Sequence, residues 1–309
     1  MLGPQMLDGR GNAGGASDIA ARRPGTATPA AGWPLVRWLT WPAVIFTALF
    51  FAAPLILMIC VSFWQRTTGG LTADWSLVNY ARFFEKDFLV QALVNSVEVT
   101  ALVTAISVLV AYPLAYVLAY RVSGALQRIL LLVTVLPFWT AYVVRSYSWL
   151  LVISEGGVLN QLLMGIGLID QPLQIAYTRA ATVLGFVHFF TMLLTLTIFA
   201  NLVQINPSYR KAASDLGASG IGVFWRITLP LSMPGVAVGA FLTFVVTIGD
   251  YITPQILGGN AELLVPQAIM LQIGRAANFP MAAVMGTLLM LIVTAVYLAA
   301  AKHLKMERL

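Results

Sequence analysis

The sequence predicts an all-α integral membrane protein with six transmembrane helices. Three observations carry that expectation. Of the 309 residues, 59% are hydrophobic and only 10% charged, whereas an ordinary soluble domain is about 45–50% apolar and about 25% charged. The apolar residues fall into long runs, each near the roughly 20 residues that a helix needs to cross a bilayer. Charge clusters bound these runs instead of interrupting them.

Taken in order, the chain starts with a polar stretch, 1–40, that contains Gly3, Gly9, Gly11, Gly14, Gly15, Pro24, Pro29 and scattered arginines. It holds too little apolar surface to offset the entropy of ordering, and reads as a flexible cytoplasmic tail. A cleaved signal peptide is not expected, because the first apolar run starts late and is long enough to span. The six runs lie at 41–63, 92–120, 129–153, 181–205, 229–257 and 281–301, within a membrane domain of 41–303. Residues 304–309 form the C-terminus. Trp33, Trp38 and Trp41 at one end of the first run and Trp64 at the other suit the two water interfaces. Turn signals punctuate the connections at Thr67-Thr68-Gly69-Gly70, Glu155-Gly156-Gly157 and Gly258-Gly259-Asn260.

Orientation follows from Lys and Arg, which are in excess on the cytoplasmic side. One side would hold Arg10, Arg22, Arg23, Arg37, Arg121, Arg128, Arg210, Lys211, Arg226, Lys302, Lys305 and Arg308. The other would hold only Arg66, Arg82, Lys86, Arg179 and Arg275. Both termini are therefore expected in the cytoplasm.

Several function classes are disfavoured. The net charge of +6 is distributed between apolar runs and forms no stripe, so the expected partner is membrane lipid and not nucleic acid. Cys60 stands alone inside an apolar run, which removes an intrachain disulfide or a Cys-based metal site. His188 has no second His or Cys nearby, and no metal or other cofactor is expected. No clustered His, Asp, Glu or nucleophile suggests an enzyme, and no Gly-x4-Gly-Lys-Ser/Thr phosphate loop is present, so any ATP-derived energy must come from another chain.

The loop at about 206–228, between the fourth and fifth runs, carries most information. Asn206 or Ser208 can cap a helix start, Pro207 suits a first turn and Gly217 can end the helix. Ala212, Ala213, Gly217 and Ala218 are small enough to admit a close neighbour, and Phe224 and Trp225 offer apolar anchors. Lys211-Ala212-Ala213, then Gly217-Ala218, then Phe224, Ile227, Leu229-Pro230 and Pro234-Gly235 resemble the "EAA" loop of ABC importer permeases. That resemblance implies a type I importer permease fold in which this segment is the coupling helix docking on an ATPase. Lys211, Ala212, Ala213, Asp215, Gly217, Ala218 and Phe224 are then the ATPase-coupling residues. Lys211 departs from the pattern, since the family most often has Glu there.

Arg145-Ser146-Tyr147-Ser148-Trp149-Leu150, Gly157-Val158-Leu159-Asn160 and Gly249-Asp250-Tyr251-Ile252-Thr253-Pro254-Gln255-Ile256-Leu257-Gly258-Gly259 resemble the spermidine/putrescine permeases of the PotB/PotH type. The same branch also serves opines, phosphonates and other small solutes. The resemblance implies a bacterial inner membrane complex of this chain, a homologous second permease, an ATPase dimer and a periplasmic solute-binding protein.

Ionisable residues within spans are functional suspects, because burying charge in lipid is costly. Asp250 and Glu98 either face a water-filled path and attract a cationic solute, or one of them pairs with Arg145 to hold helices together, or they lie in the interface and stay hydrated. Tyr147, Trp149 and Tyr251 could offer aromatic faces to a cation or belong to an interfacial belt. Pro230, Pro234, Gly235, Gly239, Gly249 and Pro254 break up the fifth run, which suits either bending or close helix packing.

Overall fold

The computed structural model describes residues 33–67, 70–259 and 262–304. It divides into two units, Met1–Pro54 and Leu55–Leu309. In the first, α1 (Trp33–Thr47) is followed by a π turn, Ala48–Ala52. Helix therefore begins within the stretch read as a tail to residue 40; once a span has nucleated, extending it into the flanking residues needs no new nucleus. The rest of the expected tail lies outside the described residues. The wide turn sits just before Pro54, whose ring crowds the carbonyl four residues back, at Phe50, and which has no N–H to offer it.

Next come α2 (Ala53–Ser62) and a short antiparallel hairpin of β1 (Gln65–Thr67) and β2 (Gly70–Thr72). The hairpin is a small departure from the all-α expectation, placed where turn glycines were noted. Then follow α3 (Val78–Glu85), α4 (Asp87–Tyr120), α5 (Gly124–Val135), α6 (Tyr142–Ile153), α7 (Val158–Gly165), α8 (Arg179–Leu202), α9 (Pro207–Asp215) and α10 (Gly220–Val223). The last are α11 (Leu229–Gly249), α12 (Val265–Gly274) and α13 (Phe279–Leu304).

Among the described residues, five segments are long and apolar enough to cross a membrane: Thr40–Ser62, Asp87–Tyr120, Arg179–Leu202, Gly220–Gly249 and Phe279–Ala301. A sixth is broken. Gly124–Trp139 and Tyr142–Gly165 meet at 96°, so the run expected at 129–153 is a bent pair and not one straight helix. Pro137 supplies the reason. It lacks an N–H for the ladder and its ring crowds the carbonyl of Val133, so the chain tightens into a 3-10 turn, Leu136–Trp139, and extends at Thr140 and Ala141.

The fifth run also differs from its expected limits of 229–257. Helical structure starts at Gly220 and stops at Gly249, where Asp250 is extended, and a separate π turn spans Pro254–Gly258. Pro254 cannot bond back to Asp250, so one continuous helix across this point is unavailable. A second wide turn, Phe224–Thr228, precedes Pro230 as the first precedes Pro54, and Arg226, four residues before that proline, lies within it.

The core of the second unit is built around α4, roughly 50 Å long at 1.5 Å per residue. Ala111, Tyr112 and Ala115 of α4 pack on Leu194, Ile198 and Leu202 of α8 and Val236 of α11. Towards its other end, Leu89 and Ala92 pack with Phe83 of α3, Val265 and Ala268 of α12 and Met281, Val284 and Met285 of α13. Much of the remaining apolar surface is exposed, as a helix bundle surrounded by lipid requires.

Glycines on α11 serve close packing. A Cβ on Gly235 would lie 2.5 Å from Cβ of Asn201, and one on Gly239 would lie 2.7 Å from Leu194. Gly235→Val is expected to destabilise the chain by about 1–3 kcal/mol through overpacking. Thermal unfolding in detergent checks this, and an unchanged midpoint would show that α8 yields at no cost.

Candidate functional site

Two places gather the sequence-predicted residues. The first is the α9 turn. Asn206 accepts a hydrogen bond from the backbone N–H of Ser208 at 2.9 Å, and Pro207 opens the helix. At the far end, Gly217 takes φ +82°. Its N–H bonds to the carbonyl of Ser214 at 2.9 Å, and that of Ala218 to the carbonyl of Ala213 at 3.0 Å. This pair of bonds is a Schellman ending, which needs a left-handed residue at that point. Ser219 then caps the next helix through Gly222 N–H at 3.2 Å.

The α9 turn is presented to its surroundings. Lys211, Ala212, Asp215 and Gly217 are exposed, while Ala213 and Ala218 are partly covered. Apolar groups stand out beside them: Leu216 is 89% exposed and Ile221 74% exposed. Phe224 faces the opposite way. Its ring meets those of Tyr112 and Tyr116 of α4 edge-on at 5.9 and 5.5 Å, so it ties the loop to the bundle, while Trp225 remains outside. Arg210 adds a second tie by laying its guanidinium over the ring of Tyr120 at 3.9 Å.

The second place is the junction of the two broken segments. Asp250 accepts from the N–H of Ile252 at 2.9 Å, from that of Thr253 at 3.4 Å and from the hydroxyl of Tyr142. The Tyr142 hydroxyl also meets that of Thr253. Asp250 therefore caps the segment that follows it and holds α6 against it. Arg145, buried one turn along α6 from Tyr142, makes no ion pair among the described residues. Its guanidinium lies 5.0 Å from the Tyr142 ring and 4.5 Å from that of Phe189, and it donates to the Pro137 carbonyl at 3.2 Å. The expected alternative of a carboxylate pairing with Arg145 is thus replaced by aromatic faces, with Tyr142 linking the two charged residues.

Glu98 is exposed and bonded to Arg179 at 2.6 Å, with Glu262 on the same guanidinium at 3.7 Å. Exposed pairs of this kind contribute about 0–1 kcal/mol. Arg179→Gln should accordingly leave the unfolding midpoint of the purified protein nearly unchanged; a large drop would reveal a hidden structural role for the pair.

The predicted aromatics do not converge. Tyr251 lines a cavity of about 460 Å³ with Gln255, Gln267, Met270 and Arg275. Trp149 lines a different one, about 280 Å³, with Thr140, Arg145, Ser148 and His188, and donates from its indole to His188 Nδ1 at 3.0 Å. Tyr147 is 53% exposed and makes no hydrogen bond or ring contact among the described residues. Residues missed in the sequence include Tyr142, Thr253, Arg179 and Glu262. Each has a partner far along the chain, and only Thr253 lies within one of the motifs, the Gly249–Gly259 stretch, which marks the stretch and not this residue.

The family described as "Binding-protein-dependent transport system inner membrane component" matches residues 111–306, which cover the broken span, the α9 turn and the Asp250 junction. The chain belongs to this family. It is 30% identical over 268 residues to the "Spermidine/putrescine transport system permease protein PotB" of Haemophilus influenzae, covering 85% of this chain and 93% of that one. To the "Inner membrane ABC transporter permease protein YdcU" of Escherichia coli it is 30% identical over 295 residues, 88% of this chain and 90% of the other. Its fold is similar to a chain of a bacterial ABC transporter involved in the import of the acidic polysaccharide alginate, with a TM-score of 0.70, 18% identity and coverage of 90% and 97%. The chain is thus an ABC importer permease of the type I fold, a multi-pass protein of the inner membrane that resembles PotB. Members of this family and the named relatives are transport permeases, not enzymes.

Proposed function

We propose that this permease moves a polyamine such as spermidine or putrescine, delivered by a periplasmic solute-binding protein, and is driven by a separate ATPase dimer that docks on α9. A homologous second permease completes the path, and both termini lie in the cytoplasm. The α9 turn carries the reading: a capped surface helix with Ala212, Ala213, Gly217 and Ala218 giving close access, and with apolar groups left exposed at its end. Lys211 and Asp215 flank that surface, and Phe224 transmits its movement to α4. The polyamine assignment leans on the named spermidine/putrescine relative and on the exposed carboxylates Glu98 and Glu262 at the opposite end of the bundle.

A second reading has its own observation. Arg275 and two glutamines share the cavity of Tyr251, a lining that suits an anionic or zwitterionic solute such as an opine, a phosphonate or an amino acid. ATP-dependent uptake of labelled putrescine and spermidine, in vesicles holding this chain with the proteins encoded beside it, separates the two. Polyamine uptake is the expected result. Its absence, with uptake of an anionic solute instead, would retain the permease and replace the substrate.

A further inference from the structure

Between α9 and the end of α4 lies a cavity of about 580 Å³ whose charged lining is Arg121, Arg210, Lys211 and Asp215, together with Tyr120 and Ser214. Positions 207, 210, 211 and 214 share one face of α9, so this is the face turned towards α4. Three cations against one carboxylate leave a positive excess. Among the described residues none of the three is in an ion pair. Arg210 lines the cavity through atoms other than its buried Nε. The Tyr120 ring fixes the Arg210 guanidinium, and the Tyr120 hydroxyl is itself tied to the carbonyl of Leu202 at 2.9 Å. A guanidinium fixed on an aromatic ring beside an exposed ammonium suits a phosphate group.

We propose that this cavity binds a phosphate-bearing anion, wedged between the coupling helix and the span it acts upon. The position, at the end of a spanning helix where Tyr116 and Tyr120 give way to Arg121, is the level of lipid headgroups. Anionic lipids of the cytoplasmic leaflet are held by such basic pockets between spans, so a headgroup phosphate is the first source and free phosphate the second. The site rests on the proposed reading that α9 lies on the cytoplasmic side. It also gives Lys211 a use, since the glutamate usual in the family at this position would repel the ligand.

The test uses the complete complex. Native mass spectrometry reads retention of phosphatidylglycerol against phosphatidylcholine, and calorimetry reads binding of inorganic phosphate. Selective retention of phosphatidylglycerol is expected, weakened about fivefold by each of Arg121→Gln and Lys211→Gln, further by Lys211→Glu, and preserved in Lys211→Arg. Inorganic phosphate binding that responds to the same variants, without lipid selectivity, would support the site with free phosphate as its ligand. No selectivity and no phosphate binding, or binding indifferent to these variants, would overturn the proposal. ATP-driven uptake that fails in a protein still selecting phosphatidylglycerol would count against the coupling reading and in favour of this site.

Discussion

Leu216→Asp is expected to abolish ATP-driven uptake while leaving the permease folded in the membrane. Leu216 is the C-cap of α9 and is almost wholly exposed, so none of the described residues depends on its side chain for packing. Burying a leucine contributes roughly 1.5–3 kcal/mol, so losing it at a docking surface weakens binding about tenfold to a hundredfold or more. Desolvating the new carboxylate adds to that loss. Co-purification of the ATPase with the permease reads docking directly, beside uptake in vesicles. Leu216→Ala should fall between wild type and aspartate. Gly217→Val should act in the same direction by another route, because a β-branched residue at φ +82° disfavours the Schellman ending that presents Leu216. An ATPase that still co-purifies with Leu216→Asp, and still drives uptake, would remove α9 as the docking element.

Asp250→Ala should be the most damaging single change at the broken spans. It would take the acceptor from the partly buried N–H groups of Ile252 and Thr253 and leave the Tyr142 hydroxyl with Thr253 alone, at about 0.5–1.5 kcal/mol for each bond lost. The expected result is a lowered unfolding midpoint and little or no uptake. Asp250→Asn retains a carbonyl oxygen for part of this set and should be milder in both respects, and Tyr142→Phe, which loses the bonds to Asp250 and Thr253 but leaves both backbone N–H groups their acceptor, should also be milder than alanine. That ordering separates two roles for the carboxylate. If asparagine and alanine reduce polyamine uptake equally while both proteins unfold like wild type, Asp250 acts through its charge on the solute and not by pinning the junction.

The α9 turn was the most legible part of the molecule. Asn206, Pro207 and Gly217 act on backbone groups within a few residues of themselves, so their roles follow from spacing alone, and the structure places the cap and the left-handed residue where that spacing puts them. The six apolar runs were legible for a related reason, since crossing a bilayer demands length and composition and little else. Hydrophobicity does not record where a run bends, however. The segment around Pro137 is as apolar as its neighbours, and beyond the 96° turn there α6 is held through Tyr142 to Asp250 and Thr253.

What the sequence determined by itself is therefore the membrane class, the apolar runs, the capped α9 turn and, through its motifs, the family. Only the tertiary structure decided which charges are engaged and by whom. Glu98 and Arg179 are 81 positions apart and Tyr142 and Asp250 are 108 apart. Phe224 looked from its sequence like an anchor for a partner, and packing turned it inward onto Tyr112 and Tyr116. The physical reason is the range of the forces concerned. Capping, helix breaking and lipid solvation act on neighbours along the chain, whereas an ion pair, a stacked guanidinium or a buried hydroxyl needs two elements to meet at a few ångströms, and that meeting is set by how the helices pack.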